Sequence, residues 1–137
     1  MSARAFVDSN VILYIYDDRW PDKSRRGRLL LAELMNAQRG VISTQVLQEC
    51  FAVATRKLGI SPLEAKEFLL TLSSMPVIQI TPELIYDAID GVMLYRLSFW
   101  DSLIVSAAAL ARCATLYTED MQHGQIIRGV RICNPFI

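Results

Sequence analysis

Four acids in this 137-residue chain, Asp8, Glu49, Asp101 and Asp120, fall where an alternating strand–helix pattern would bring them to one edge of a sheet. Like charges a few ångströms apart raise one another's pKa, so carboxylates gathered in this way need a cation among them. Oxygen ligands alone suit Mg²⁺ or Mn²⁺ rather than zinc. A divalent ion on carboxylates can hold a water, lower its pKa and stabilise charge building on a phosphate, which is the chemistry of metal-dependent phosphodiester hydrolysis. Competing chemistries lack their parts. With one histidine there is no Ser/His/Asp or Cys/His arrangement, and no glycine-rich phosphate loop is present. Phosphoryl transfer on Asp8 would want an acid two residues later, or an adjacent acid pair with a distal lysine. Asn10 and the lack of a lysine after the fourth expected strand argue against both.

The elements that must position these acids follow from hydrophobic patterning and punctuation. Ala3 to Val7 is a short apolar run ending at Asp8, and Val11 to Tyr16 continue as an apolar helix or its first turns. After the break at residues 17–21, Asp22 is expected to cap a helix that Gly40 ends. Val41-Ile42-Ser43 reads as a second strand, and Ser43 or Thr44 caps a helix from Gln45 to about Leu58, closed by Gly59. Ser61-Pro62-Leu63-Glu64 combines a cap, Pro at N1 and Glu at N3, and starts a helix to about Ser73. Val77 to Ile80 is a third strand, and Thr81-Pro82 opens a helix through Ile85, Ile89, Val92 and Met93. The stretch from Ser98 to Ala111 is apolar almost all round, the mark of a helix buried on most faces. Ala114 to Thr118 and Gly129 to Ile132 supply a fourth and a fifth strand. This alternation predicts a three-layer α/β/α fold with a central, mainly parallel sheet of four to five strands, in one domain spanning 1–137.

In such a sheet the ligand crevice lies outside the carboxyl ends of the strands. Asp8 ends the first strand, Glu49 lies a turn inside the second helix, Asp101 sits in the first turn of the apolar helix, and Asp120 follows the fourth strand. Asp101 is either a cap partner for Ser98 or a ligand. Glu49 borders an apolar stripe, as either a solvated edge residue or a ligand. Asp8 is harder to dismiss, because a carboxylate closing an apolar strand must find donors or a cation. Of the adjacent Glu119 and Asp120 only one can point inward, and Asp120 is preferred. Asp87 and Asp90 project from the polar side of their helix and are expected to be solvated, while Asp17, Asp18 and Asp22 are surface or capping candidates.

Composition bounds the rest. Hydrophobic residues make up 53% and charged residues 20%, the balance of a folded domain. A mean hydropathy of +0.29 points to apolar surface covered by a partner or a second copy. No apolar run approaches the roughly 20 residues that span a bilayer. Asp8 and Asn10 interrupt the N-terminal apolar stretch, so no signal peptide and a cytoplasmic location are expected. Cys50, Cys113 and Cys133 are odd in number and widely spaced, which suits buried small hydrophobes better than disulfides or zinc. With a net charge of zero, nucleic-acid binding would depend on local patches. Arg19, Lys23, Arg25, Arg26 and Arg28 form the densest basic group and Arg56-Lys57 a second. Trp20 and Trp100 are candidates for base stacking or for core and rim packing.

Four segments together resemble the signatures of the PIN domain. They are Phe6-Val7-Asp8-Ser9-Asn10-Val11-Ile12-Leu13, Gln45-Val46-Leu47-Gln48-Glu49, Phe99-Trp100-Asp101-Ser102-Leu103-Ile104 and Leu116-Tyr117-Thr118-Glu119-Asp120-Met121. The nearest likeness is to VapC-type toxins of toxin–antitoxin modules, in the family's order and over almost the whole chain. The resemblance implies a Mg²⁺- or Mn²⁺-dependent endoribonuclease, usually a homodimer, held inactive by an antitoxin that covers the acidic site. It implies Asp8, Glu49 and Asp101 as main metal ligands, with Asp120 completing the site directly or through water. It further implies that Asn10 orients the first acid, with Ser9 and Thr118 as supporting hydrogen-bonding residues. Water activated by the metal would cut RNA to leave 5′-phosphate and 3′-hydroxyl ends. The alternative is a non-catalytic interaction module of the same fold, whose usual mark is loss of acids; all four are present.

Overall fold

A computed structural model describes residues 3–137. At its centre β1 (Ala5–Val7), β2 (Gly40–Ser43), β3 (Val77–Ile78), β4 (Thr115–Tyr117), β5 (Ile126–Ile127) and β6 (Val130–Cys133) form one sheet in the order β3-β2-β1-β4-β6-β5. Every pairing is parallel except β5 with β6. Ala5, Phe6 and Val7 are buried, as expected of a central parallel strand covered on both faces.

The sheet has six strands rather than the four to five expected. The extra one comes from a hairpin at its antiparallel edge. Arg128 and Gly129 both take positive φ (52° and 79°), which is the backbone a two-residue hairpin turn requires. Gly129 therefore belongs to the turn and not to the last strand, and Ile126–Ile127 pairs back on Val130 and Arg131. At the other edge β3 stops at Ile78, and the Ile80 N–H turns instead to Thr44 Oγ1 at 3.2 Å.

Helices flank this sheet: α1 (Ser9–Leu13), prolonged by a 3₁₀ turn at Tyr14–Tyr16, then α2 (Pro21–Asn36), α3 (Thr44–Arg56), α4 (Pro62–Leu72), α5 (Pro82–Tyr95) and α6 (Phe99–Leu110). Their starts follow capping chemistry at four of the expected places. Ser43, Ser61, Thr81 and Ser98 accept from the N–H of Val46, Glu64, Leu84 and Asp101. The second helix departs from expectation. It begins at Pro21, with Trp20 at the cap position making no side-chain cap, so Asp22 lies inside the first turn. Proline at N1 pre-sets the helical φ and makes a capping side chain less necessary.

The apolar helix α6 is buried without interruption from Ser102 to Ala108 and packs on β2, β4 and β6. Its second partner is α5. The two approach so closely at Gly91 that a Cβ there would collide with Ser102 Oγ, which donates to Ala88 O at 2.6 Å. Two other departures concern charge: Asp17 is buried and gripped by Arg19 through two bonds of 2.9 and 2.8 Å, and Asp87 pairs with Arg128 at 2.6 Å rather than being merely solvated. Trp20 and Trp100 stand exposed, which leaves stacking or rim packing and not core packing. Cys50 and Cys113 are buried free thiols and Cys133 is half-buried.

Because α6 carries Asp101 to the strand ends, its contact with α5 bears on the site. Gly91→Ala should cost about 1–3 kcal/mol by overpacking. Most of that loss should be recovered in a Ser102→Ala background, where the colliding oxygen is gone. Urea unfolding of the two single variants and the double variant checks this.

Candidate active site

Two neighbouring strands carry the chain in opposite directions across the sheet. From β1 the order runs outward to β2 and β3 on one side and to β4 and β6 on the other. Where strand order reverses in a parallel sheet, the loops that leave the two strands part and open a crevice. Asp8 and the Thr118-Glu119-Asp120 segment lie at this opening. The ladder continues to its mouth, since Asp8 N–H donates to Tyr117 O at 3.0 Å.

Asp8 is buried, with 3% of its surface exposed. Its Oδ1 accepts from Ser9 N–H at 2.7 Å, which caps α1, and its Oδ2 accepts from the Thr118 hydroxyl at 2.9 Å. These donors do not offset what burial costs. Burial first, with the charges of Glu49 and Asp120 adding to it, pushes the Asp8 carboxyl up to about 7, against the pull of Thr118 and Ser9.

The other acids are held by short relays from the same elements. Glu49 Oε1 accepts from the Ser9 hydroxyl at 3.0 Å. That hydroxyl has one proton, and Asp8 Oδ1 lies farther off at 3.4 Å, so the proton serves Glu49. Glu49 Oε2 meets Gln45 Nε2 at 3.5 Å, and the same amide donates to Trp100 O at 3.3 Å. Gln45 thereby ties the acid on α3 to the first turn of α6, where Asp101 sits. Burial, and then the charge of Asp120, raises Asp101 above the ordinary aspartate range, with the Ser98 hydroxyl opposing. Asn10 Nδ2 donates to Thr118 Oγ1 at 3.1 Å and its Oδ1 accepts from Glu119 N–H at 3.2 Å, while Asp120 N–H donates to Thr118 Oγ1 at 3.2 Å. One asparagine and one threonine thus link the first acid to the last.

Glu119 faces elsewhere. Tyr14 OH and Lys23 Nζ each donate to it at 2.6 Å. Burial works against its charge, but Lys23 and Tyr14 together outweigh that and hold its carboxyl below the usual range. Among the described residues no lysine or arginine forms an ion pair with Asp8, Glu49, Asp101 or Asp120. Nor do any three of the described histidine, cysteine, aspartate and glutamate side chains close tightly enough to hold an ion as they stand. The edge gathers the four acids without locking them. Its donors are oxygens only, the ligand type that Mg²⁺ or Mn²⁺ takes, and one of them is a buried carboxylate with no paired cation among the described residues.

The family model of the PIN domain matches residues 5–127, from the start of β1 to the end of β5 and across all four acids. The chain belongs to the PIN domain family. Solved structures share the fold. A toxin–antitoxin complex from Klebsiella pneumoniae superposes with a TM-score of 0.69 at 20% identity, covering 96% of this chain and 97% of that one. DNA-bound VapBC from Salmonella typhimurium gives 0.67 at 18% identity, again with 96% and 97% coverage. VapC20 of Mycobacterium tuberculosis, a sarcin–ricin loop cleaving toxin, gives 0.62 at 18% identity, with 85% and 89% coverage. No curated protein is significantly similar in sequence.

Within this PIN domain, sequence reasoning missed two residues that shape the edge. Gln45 is a buried polar side chain four residues before Glu49, a helical spacing that points to contact. Lys23 was one of five clustered cations, and nothing local marks it as the partner of a glutamate 96 residues away.

Asp8 sets a pH dependence. Its pKa is 3.8 when unperturbed and about 7 in the fold, so the folded state binds the proton more tightly. The resulting stability is complete below pH 3.8 and is lost as pH rises to about 7. With divalent ions chelated, Asp8→Asn should therefore gain on the parent between these limits. The advantage should level off above pH 7 at about 4 kcal/mol. Urea unfolding in EDTA at pH 5 and pH 8 measures the widening gap.

Proposed function

We propose that this PIN domain is a Mg²⁺- or Mn²⁺-dependent endoribonuclease and the toxin of a type II toxin–antitoxin pair. The observation that carries the reading is the buried Asp8 carboxylate at the sheet's switch point. It is flanked by Glu49 and Asp120 and has no paired cation among the described residues. A protein that needed these acids only for structure would pair or solvate them. Family membership and the fold shared with toxins and toxin–antitoxin assemblies support the same reading.

Asp8, Glu49 and Asp101 would hold the ion, with Asp120 completing the set directly or through a water. Bound there, a divalent ion supplies Lewis acidity, a more acidic water and countercharge for a phosphate. The protein's own part is placement. Ser9 and Thr118 fix the two oxygens of Asp8, Asn10 holds the Thr118 hydroxyl and the Glu119 backbone in register, and Gln45 sets Glu49 against the α6 terminus. Hydrolysis of an RNA phosphodiester would leave 5′-phosphate and 3′-hydroxyl ends. Exposed apolar side chains on α4 (Leu63, Leu70) and α5 (Tyr86, Met93, Leu94) offer surface for an antitoxin and for a second copy in a homodimer. The cytoplasm is the compartment such an activity requires.

Asp8→Asn and Asp101→Asn should each lower RNA cleavage by about 100-fold or more, since several kcal/mol of transition-state stabilisation would be withdrawn. Their circular dichroism should match the parent. Undiminished cleavage by folded variants would refute the assignment. Millimolar Mg²⁺ should also raise the melting temperature of the parent and not of Asp8→Asn. Loss of the outer support in Gln45→Ala should shift the Mg²⁺ needed for half of that rise upward by about 10-fold; an unshifted titration would leave Gln45 a packing residue only.

A further inference from the structure

Beside the acidic edge lies a hollow of about 320 Å³ walled chiefly by Arg19, Trp20, Lys23, Arg26 and Phe136, with one carboxylate, Asp22, which pairs with Arg25 at 3.2 Å. We propose that it is a subsite for single-stranded RNA, in which a base near the scissile bond stacks on Trp20 and its phosphate meets Arg26 and Arg19. The proposal rests on the nuclease reading and assigns where the substrate is gripped.

Position is the first argument. Lys23 Nζ reaches Glu119 Oε2 at 2.6 Å, and Glu119 is bonded through its backbone to Asn10 and adjoins Asp120. A second hollow, of about 210 Å³, shares Arg19 and Trp20 and extends to Asn10, two residues from Asp8. The two hollows together therefore lead from the indole as far as Asn10, the residue that braces Thr118 and the Glu119 backbone beside the acids.

The second argument is electrostatic. Four acids repel a polyanion, and a chain of zero net charge offers no general attraction, so phosphates must be met locally. The basic cluster divides by role. Lys23 is spent on Glu119 and stands 4.7, 5.0 and 5.6 Å from the ring centres of Tyr14, Trp20 and Phe136, which makes it the post around which the aromatic wall is built. Arg26 is exposed and forms no ion pair among the described residues. Arg19 is bound to Asp17 through one edge, yet its side chain remains 75% exposed.

Trp20 itself is the third. It occupies the cap position of α2 without capping it, and 49% of its surface is open. Neither helix termination nor core packing accounts for an indole there. An exposed aromatic beside accessible guanidinium groups, Arg26 unpaired among the described residues and Arg19 with one edge open, is the usual equipment for stacking an unpaired base, because every base offers a π-face. Phe136, locked edge-on to Tyr14 at 5.0 Å, closes the opposite side.

The test uses the full chain carrying Asp8→Asn, to prevent cleavage, and Trp100→Phe, which leaves Trp20 as the sole indole. Titration with a short single-stranded RNA should quench its fluorescence by about half. Adding Arg26→Ala should flatten the salt dependence of binding by about one ion. In the otherwise unaltered protein, Trp20→Ala should raise KM for RNA roughly 10-fold with a far smaller change in kcat, and Trp20→Phe should restore most of the loss. No quenching, equal quenching by duplex RNA, or an unchanged KM in Trp20→Ala would overturn the subsite; the first would leave the hollow to a protein partner. Such a failure is separable from failure of the nuclease reading, which would show as undiminished cleavage by Asp8→Asn.

Discussion

The structure depends on keeping one carboxylate where water does not reach it. Asp8 closes the central strand, is buried on nearly every side, and receives hydrogen bonds from Ser9 and Thr118 that fall short of the desolvation they must offset. A charge so placed is tolerated only if something compensates it or if it stays protonated. The remainder of the acidic edge is arranged around that imbalance. Glu49 and Asp120 deepen it, and the nearest cations along the chain turn elsewhere, Arg4 to the Ala111 carbonyl, Arg19 to Asp17 and Lys23 to Glu119.

That engagement explains how a chain with 14 basic and 14 acidic residues keeps an uncompensated acidic edge. Arg19 closes on Asp17, Lys23 on Glu119 and Arg128 on Asp87. Each pairing is partly buried on at least one side. Glu119 is the telling case. Adjacent to Asp120 in the chain, it faces the opposite way because Lys23 and Tyr14 offer it two short bonds.

The apolar helix α6 supplies the rigidity. Buried from Ser102 to Ala108 and pressed against α5 at Gly91, it has little freedom to move its N-terminal turn. Asp101 is therefore presented from a fixed element, as is Glu49 from α3. The bridge between them is one buried amide, Gln45, whose Oε1 finds no partner among the described residues. A site built on packed elements and cross-braced by few polar groups is stiff where ligands would be held.

Local chemistry in the sequence determined most of the architecture. Ser43, Ser61, Thr81 and Ser98 begin their helices by hydrogen-bonding a backbone three residues on, and strand burial follows from apolar runs; both effects act within a few residues. The placing of Asp8, Glu49, Asp101 and Asp120 near the strand ends followed from element order alone. What only the tertiary structure decided were interactions between distant positions or those against local preference. The hairpin strand at Ile126–Ile127 turns on Arg128 in a left-handed conformation that its side chain does not announce. Asp87 found an arginine 41 residues on, Lys23 found a glutamate at the far end of the chain, and Gln45 found the α6 backbone. Such pairings depend on which surfaces the packed helices bring within about 3 Å, and no periodicity along the chain encodes that distance.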